Sequence, residues 1–156
     1  MPTDDAHAYL AALKEPDLAK PSCRKSVETY RLIIHEFHLA TSVSMFRLDV
    51  DDSDHAIMTV KRTDTALMGR SVKLIYEKSR VLTAQELADF RRKFAASGFW
   101  TLAESPTDMS CTPNGAELIE VAVGGRYHQI VRYCGIEHGP KDWLDYVDTL
   151  YTSIDK

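Results

Sequence analysis

The chain has 156 residues, of which 44% are hydrophobic and 27% charged, and a net charge of −4. That composition supports one hydrophobic core without a metal or disulfide staple and excludes a disordered chain. No stretch approaches the roughly 20 apolar residues of a membrane-spanning helix, and the acidic balance, with no basic cluster denser than Arg91-Arg92-Lys93, argues against a nucleic-acid partner.

Residues 3–14 read as a short helix: Thr3 suits the N-cap, Asp4 and Asp5 suit the first turn, and Tyr9, Leu10 and Leu13 form an apolar stripe that Pro16 and Pro21 end. This segment is expected to be a peripheral arm. From Glu28 to Glu77 the apolar period becomes two, with Tyr30, Leu32 and Ile34 on one face, then Phe46, Leu48 and Val50, then Val72, Leu74 and Tyr76. Turn chemistry at Asp51-Asp52-Ser53-Asp54 predicts a hairpin that pairs Leu48 with Ile57 and Met45 with Val60.

Thr83 and Glu86 form a capping box, and Leu87, Phe90 and Phe94 follow at helical spacing until Gly98 supplies a left-handed stop. Phe99 and Trp100 then plug the edge of the same core. A second hairpin is predicted over 116–123 and 126–134, closed by Gly124-Gly125, so that Val123 faces Arg126, Ile119 faces Ile130 and Glu117 faces Arg132. Pro140 takes the first position of a last helix whose Trp143, Val147, Leu150 and Ile154 make a docking stripe. The expectation is an α+β fold: an antiparallel sheet of about six strands, two packing helices and a short N-terminal helix. Residues 1–26 form the N-terminal helical arm and 27–156 a single α+β domain.

Catalytic chemistry is sparse. Asp49-Val50-Asp51-Asp52-Ser53 opens like a calcium loop, but Asp54 stands where the sharp turn needs Gly and Val60 where the bidentate Glu belongs, which favours a solvated turn. His35 and His38 are the only close histidine pair, and three residues apart in a strand they face opposite sides. His128 lies across from Val121, and the simplest reading is a part-buried imidazole held by a hydrogen bond. Cys134 is roughly 20 Å along the strand from His128, too far for proton transfer. Instead Cys134 lies opposite Gly115, and the Pro113-Asn114-Gly115 turn can bring Cys111 beside it, so either a Cys111–Cys134 disulfide or reduced buried thiols would fit. No nucleophile elbow, phosphate loop or dinucleotide fingerprint occurs, and no cofactor or metal is implied.

Tyr30-Arg31, Phe37-His38, Val60-Lys61-Arg62, Leu82-Thr83, Phe99-Trp100-Thr101-Leu102 and the hairpin Glu120…Arg126-Tyr127-His128…Arg132 together resemble a family of small uncharacterised bacterial proteins. Over about residues 27–150 the most specific element is Glu-x6-Arg-Tyr-His-x3-Arg. The chain departs from the family at Glu117, where Trp is common, and at Tyr133-Cys134-Gly135, where Ser-Pro is common. The resemblance implies a fold class and an envelope location. The N-terminus, Met1-Pro2-Thr3-Asp4-Asp5, has no basic or apolar signal region, so the expected location is periplasmic or exported if a signal was removed and cytoplasmic otherwise.

Two functions follow as expectations. The first is a non-catalytic protein-binding module, most concretely an immunity or inhibitor protein that neutralises a toxin or hydrolase, presenting Asp142, Asp145, Asp148 and Asp155 to a basic active-site rim. The second is a small-ligand-binding protein or enzyme using Glu120, Tyr127, His128 and Arg132. Alternation places Tyr127 on the Glu120 face and His128 and Arg132 on the other, so the four do not converge on one pocket.

Overall fold

A computed structural model describes residues 9–37, 40–67, 71–104, 115–132 and 140–155. Among the described residues seven strands form one antiparallel sheet: β1 (Glu28–Phe37), β2 (Ala40–Val50), β3 (Ala56–Thr63), β4 (Ala66–Leu67), β5 (Leu74–Val81), β6 (Gly115–Val123) and β7 (Arg126–Arg132). Their order is β5-β3-β2-β1-β6-β7, with the two-residue β4 extending the sheet beside β2. Two longer helices, α1 (Ala84–Ala96) and α2 (Lys141–Thr152), complete the α+β architecture. No helix among the described residues is long and apolar enough to cross a membrane.

Both helices lie on one sheet face, because the alternation of β1, β2, β3 and β6 presents Leu32, Phe46, Leu48, Met58 and Ile119 there, all buried. The centre of this layer is aromatic. Phe90 meets Trp143 with ring centroids 5.6 Å apart and Tyr30 at 4.8 Å, both edge-on, the arrangement ring quadrupoles prefer. The start of α1 is fixed locally: the Thr83 hydroxyl accepts from the Glu86 N–H while the Glu86 carboxylate accepts from the Thr83 N–H. Gly98, at φ +66°, ends the turn that follows, and Phe99 is buried just beyond it. In α2, Pro140 is the N-cap rather than the first helical residue, and its carbonyl accepts from the N–H of Trp143 and Leu144. Leu144 joins Trp143, Val147 and Leu150 as a buried residue, while Ile154 sits past the helix in a short 3-10 turn and is half-buried.

The second hairpin has the expected register, with Val123 opposite Arg126, Ile119 opposite Ile130 and Glu117 opposite Arg132. Gly124 and Gly125 take φ of +56° and +81°, as a two-residue turn of this hand requires. The first hairpin is displaced by one residue from its expected pairing: Leu48 faces Met58 and Met45 faces Lys61. The cause is a three-residue turn. The Asp51 N–H donates to the His55 carbonyl, Asp54 takes φ +59°, and Asp51 Oδ1 accepts from the N–H groups of Ser53 and His55. A one-residue shift exchanges the faces, so Met58 enters the core and Ile57 is left 38% exposed.

Residues 9–23 do not stand off as a peripheral arm. They strap across the other sheet face, where Leu10 and Leu13 pack on Ile33, Val43, Met45, Leu118 and Val131. The Cys111–Cys134 pairing lies outside the described residues; Cys23 is a free thiol.

Candidate functional site

The strap face is held by charge. β1 and β2 run antiparallel with Arg31 opposite Arg47, so two guanidiniums stand side by side on a covered face. They persist there because counter-charges arrive from both flanks. The Glu15 side chain, inaccessible to solvent, contacts Arg31, Arg47 and Lys61, with Lys61 Nζ 2.7 Å from its Oε1. Arg31 Nε donates to Glu120 Oε2 at 2.8 Å and its Nη1 to the Pro16 carbonyl at 2.7 Å, while Lys61 Nζ donates to the Leu13 carbonyl at 2.9 Å. Arg47 continues the chain to Asp49, which accepts from Thr29. The Tyr127 hydroxyl donates to Glu120 Oε1 at 2.9 Å, and burial, reinforced by the Glu120 charge, holds the phenol well above its ordinary pKa. Every charged group in this cluster is engaged by another, which makes it a clasp that pins the strap.

The candidate hairpin residues therefore divide. Glu120 and Tyr127 belong to the clasp, and His128 and Arg132 face the helix layer. His128 Nε2 lies 2.8 Å from the Leu102 carbonyl, which only accepts, so that nitrogen carries the proton. Arg132 Nη1 donates to the carbonyls of Ala103 and Val131. The structure brings neither of them to Glu120 or Tyr127. His35 pairs with the Tyr9 hydroxyl at 3.0 Å. His38 lies outside the described residues. Among the described residues no group of three or more His, Cys, Asp or Glu side chains is placed to hold a metal ion.

The acidic residues of α2 also divide. Asp142 borders a notch between the two helices together with Arg92, Lys93 and Lys141. Asp145 and Asp148 stand on the other flank, over a cleft of about 320 Å³ between α2 and the sheet. Leu32, Phe46 and Val147 form its apolar interior, Ile34 is 36% exposed within it, and Glu36 and Glu117 complete its border. Asp145 pairs with Lys141 one turn earlier, whereas Asp148 has no hydrogen bond or ion pair among the described residues. Asp155, the fourth acid of the expected stripe, instead bonds Tyr76 and Lys78 of β5.

Glu117 is the unusual member of the border. Its carboxyl is pushed above the ordinary carboxylate value by burial, partly offset by the charge of Arg132, and its Oε2 is shielded from water without a hydrogen-bond partner among the described residues. Sequence reasoning missed the role of Glu15, Arg31, Arg47 and Lys61. The available signal was a strand carrying Arg31 inside Tyr-Arg-Leu-Ile-Ile, too apolar a setting for an unpaired guanidinium. The cleft has no comparable signal, since it depends on where α2 crosses β1 and β2.

Comparison of the sequence with protein-family models and with curated proteins returns no match.

Proposed function

We propose that this chain is a non-catalytic protein-binding module of the immunity or inhibitor kind, which takes a basic protein partner on the α2 flank that carries Asp145 and Asp148. One observation carries this reading: two exposed carboxylates stand beside an open apolar cleft, so charge that steers a cationic partner adjoins surface that can hold it. The alternative, a small-ligand or catalytic site on the His128 and Arg132 face, has less support, because carbonyls of residues 102 and 103 already engage His128 Nε2 and Arg132 Nη1. An envelope location fits an inhibitor of an exported hydrolase or toxin and is part of the proposal.

The test is binding to purified products of the neighbouring genes, measured by calorimetry at low and physiological salt. A specific complex is expected, and Asp145→Lys with Asp148→Lys should weaken it at least about tenfold, which is ~1.4 kcal/mol. Asp142→Lys should change affinity much less. Absence of any complex, or one indifferent to the double reversal, rejects the reading.

A further inference from the structure

We infer that the cleft between α2 and the sheet receives a lysine side chain of the protein partner, with Glu117 as its counter-charge and Ile34, Phe46 and Val147 as the surface for its methylene stem. The inference rests on the reading of the chain as a binding module and adds what the cleft recognises.

Size and lining come first. A volume of about 320 Å³ lies at the lower end for ligand pockets, suited to one long side chain. On a sheet face where Leu32, Phe46 and Leu48 are buried, Ile34 is 36% exposed in the cleft beside α2. Glu117 is directly opposite Ile34 in the β1–β6 register, so a recessed carboxylate and an exposed apolar side chain are neighbours on one floor.

Charge then selects the occupant. Glu36, Glu117, Asp145 and Asp148 border the cleft, and among the described residues no Lys or Arg lines it; Arg62, beside it, is engaged by the Tyr151 hydroxyl and Asp155. Arg132, across from Glu117, gives Nη1 to two carbonyls and leaves its buried Nε without a hydrogen-bond partner; its charge acts on Glu117, but no hydrogen bond or ion pair joins the two side chains among the described residues. An unpartnered, shielded carboxylate oxygen is costly until a donor reaches it. A lysine fits better than an arginine: one recessed oxygen matches a compact ammonium, whereas a guanidinium fork is best matched by two parallel acceptors. The lysine stem is apolar and packs along such a floor while its head finds the charge.

The experiment uses the full chain, 15N-labelled, titrated with n-butylammonium as the lysine side-chain analogue and with n-butanol and pentanoate as controls. Saturable amide shifts are expected at residues 32–36, 117 and 144–151, with Kd on the order of 1–10 mM, and only for the ammonium. Glu117→Gln, close to isosteric, should weaken binding at least about fivefold, which is ~1 kcal/mol; exposed Asp148→Asn should weaken it less, and Asp142→Asn not at all. Shifts scattered over all acidic surfaces, equal binding to Glu117→Gln, or no saturation overturn the inference. The two readings fail separately. A partner complex lost with the Asp145→Lys, Asp148→Lys double reversal but untouched by Glu117→Gln refutes the lysine pocket and keeps the binding module. Ammonium binding as expected, with no complex to any neighbouring product, does the reverse.

Discussion

The two faces of the sheet are covered by different physics. On the helix face Phe90, Trp143, Tyr30 and Phe94 interlock, and stability there comes from area removed from water and from ring geometry, both insensitive to pH. On the strap face the cover is thin, a few residues around Leu10 and Leu13, and charge pairs hold it in register. Buried pairs of this kind add little net stability over an apolar replacement, but they penalise any arrangement that leaves one member alone. The comparison shows that one face resists loss of volume and the other resists loss of pairing.

The largest effects should separate these two. Phe90→Ala empties a fully buried position and should cost about 3–5 kcal/mol in urea unfolding, with no second substitution expected to restore it. Arg31→Met should cost about 3–5 kcal/mol for a different reason: it leaves the Glu120 carboxylate buried without its cation. Adding Glu120→Leu should recover most of that loss. If the double variant is as unstable as Arg31→Met alone, the strap face depends on volume after all.

A smaller effect comes from the Arg80–Glu86 pair at the start of α1. Arg80 and the Thr83 N–H and hydroxyl hold the Glu86 carboxyl at about 2, against 4.5 for the free side chain. A lowered carboxyl stabilises the fold above its unfolded value and loses that contribution as pH falls. Unfolding free energy should therefore drop by about 2 kcal/mol between pH 4.5 and 2, allowing for partial solvent screening, and Glu86→Gln should remove that part of the pH dependence. The smallest change is Thr83→Ala, about 1 kcal/mol through the lost cap, read as a shift in thermal midpoint without a change of fold.

Much of the fold was legible because its signals are local. Thr83 with Glu86, Gly98, and the Gly124-Gly125 turn each act within a few residues, so helix ends and the β6–β7 register could be counted from the chain. The first hairpin shows the limit: a turn of two or three residues satisfies the same Asp-rich sequence, and only the hydrogen bonds of Asp51 select the longer one. The division of Glu120 and Tyr127 from His128 and Arg132 was likewise readable, since alternation needs nothing but the strand.

What the sequence by itself determined is therefore which residues share a face: Arg31 with Ile33, Leu32 with Ile34, Glu120 with Tyr127. What covers each face was decided only in three dimensions. Glu15 meets Arg31, Arg47 and Lys61 across 16, 32 and 46 positions of chain, and the cleft at Glu117 lies where α2 passes over β1, β2 and β6. Periodicity fixes direction relative to the backbone, but pairing of distant charges and the placing of a helix over a sheet depend on the whole packed arrangement, which no local pattern encodes.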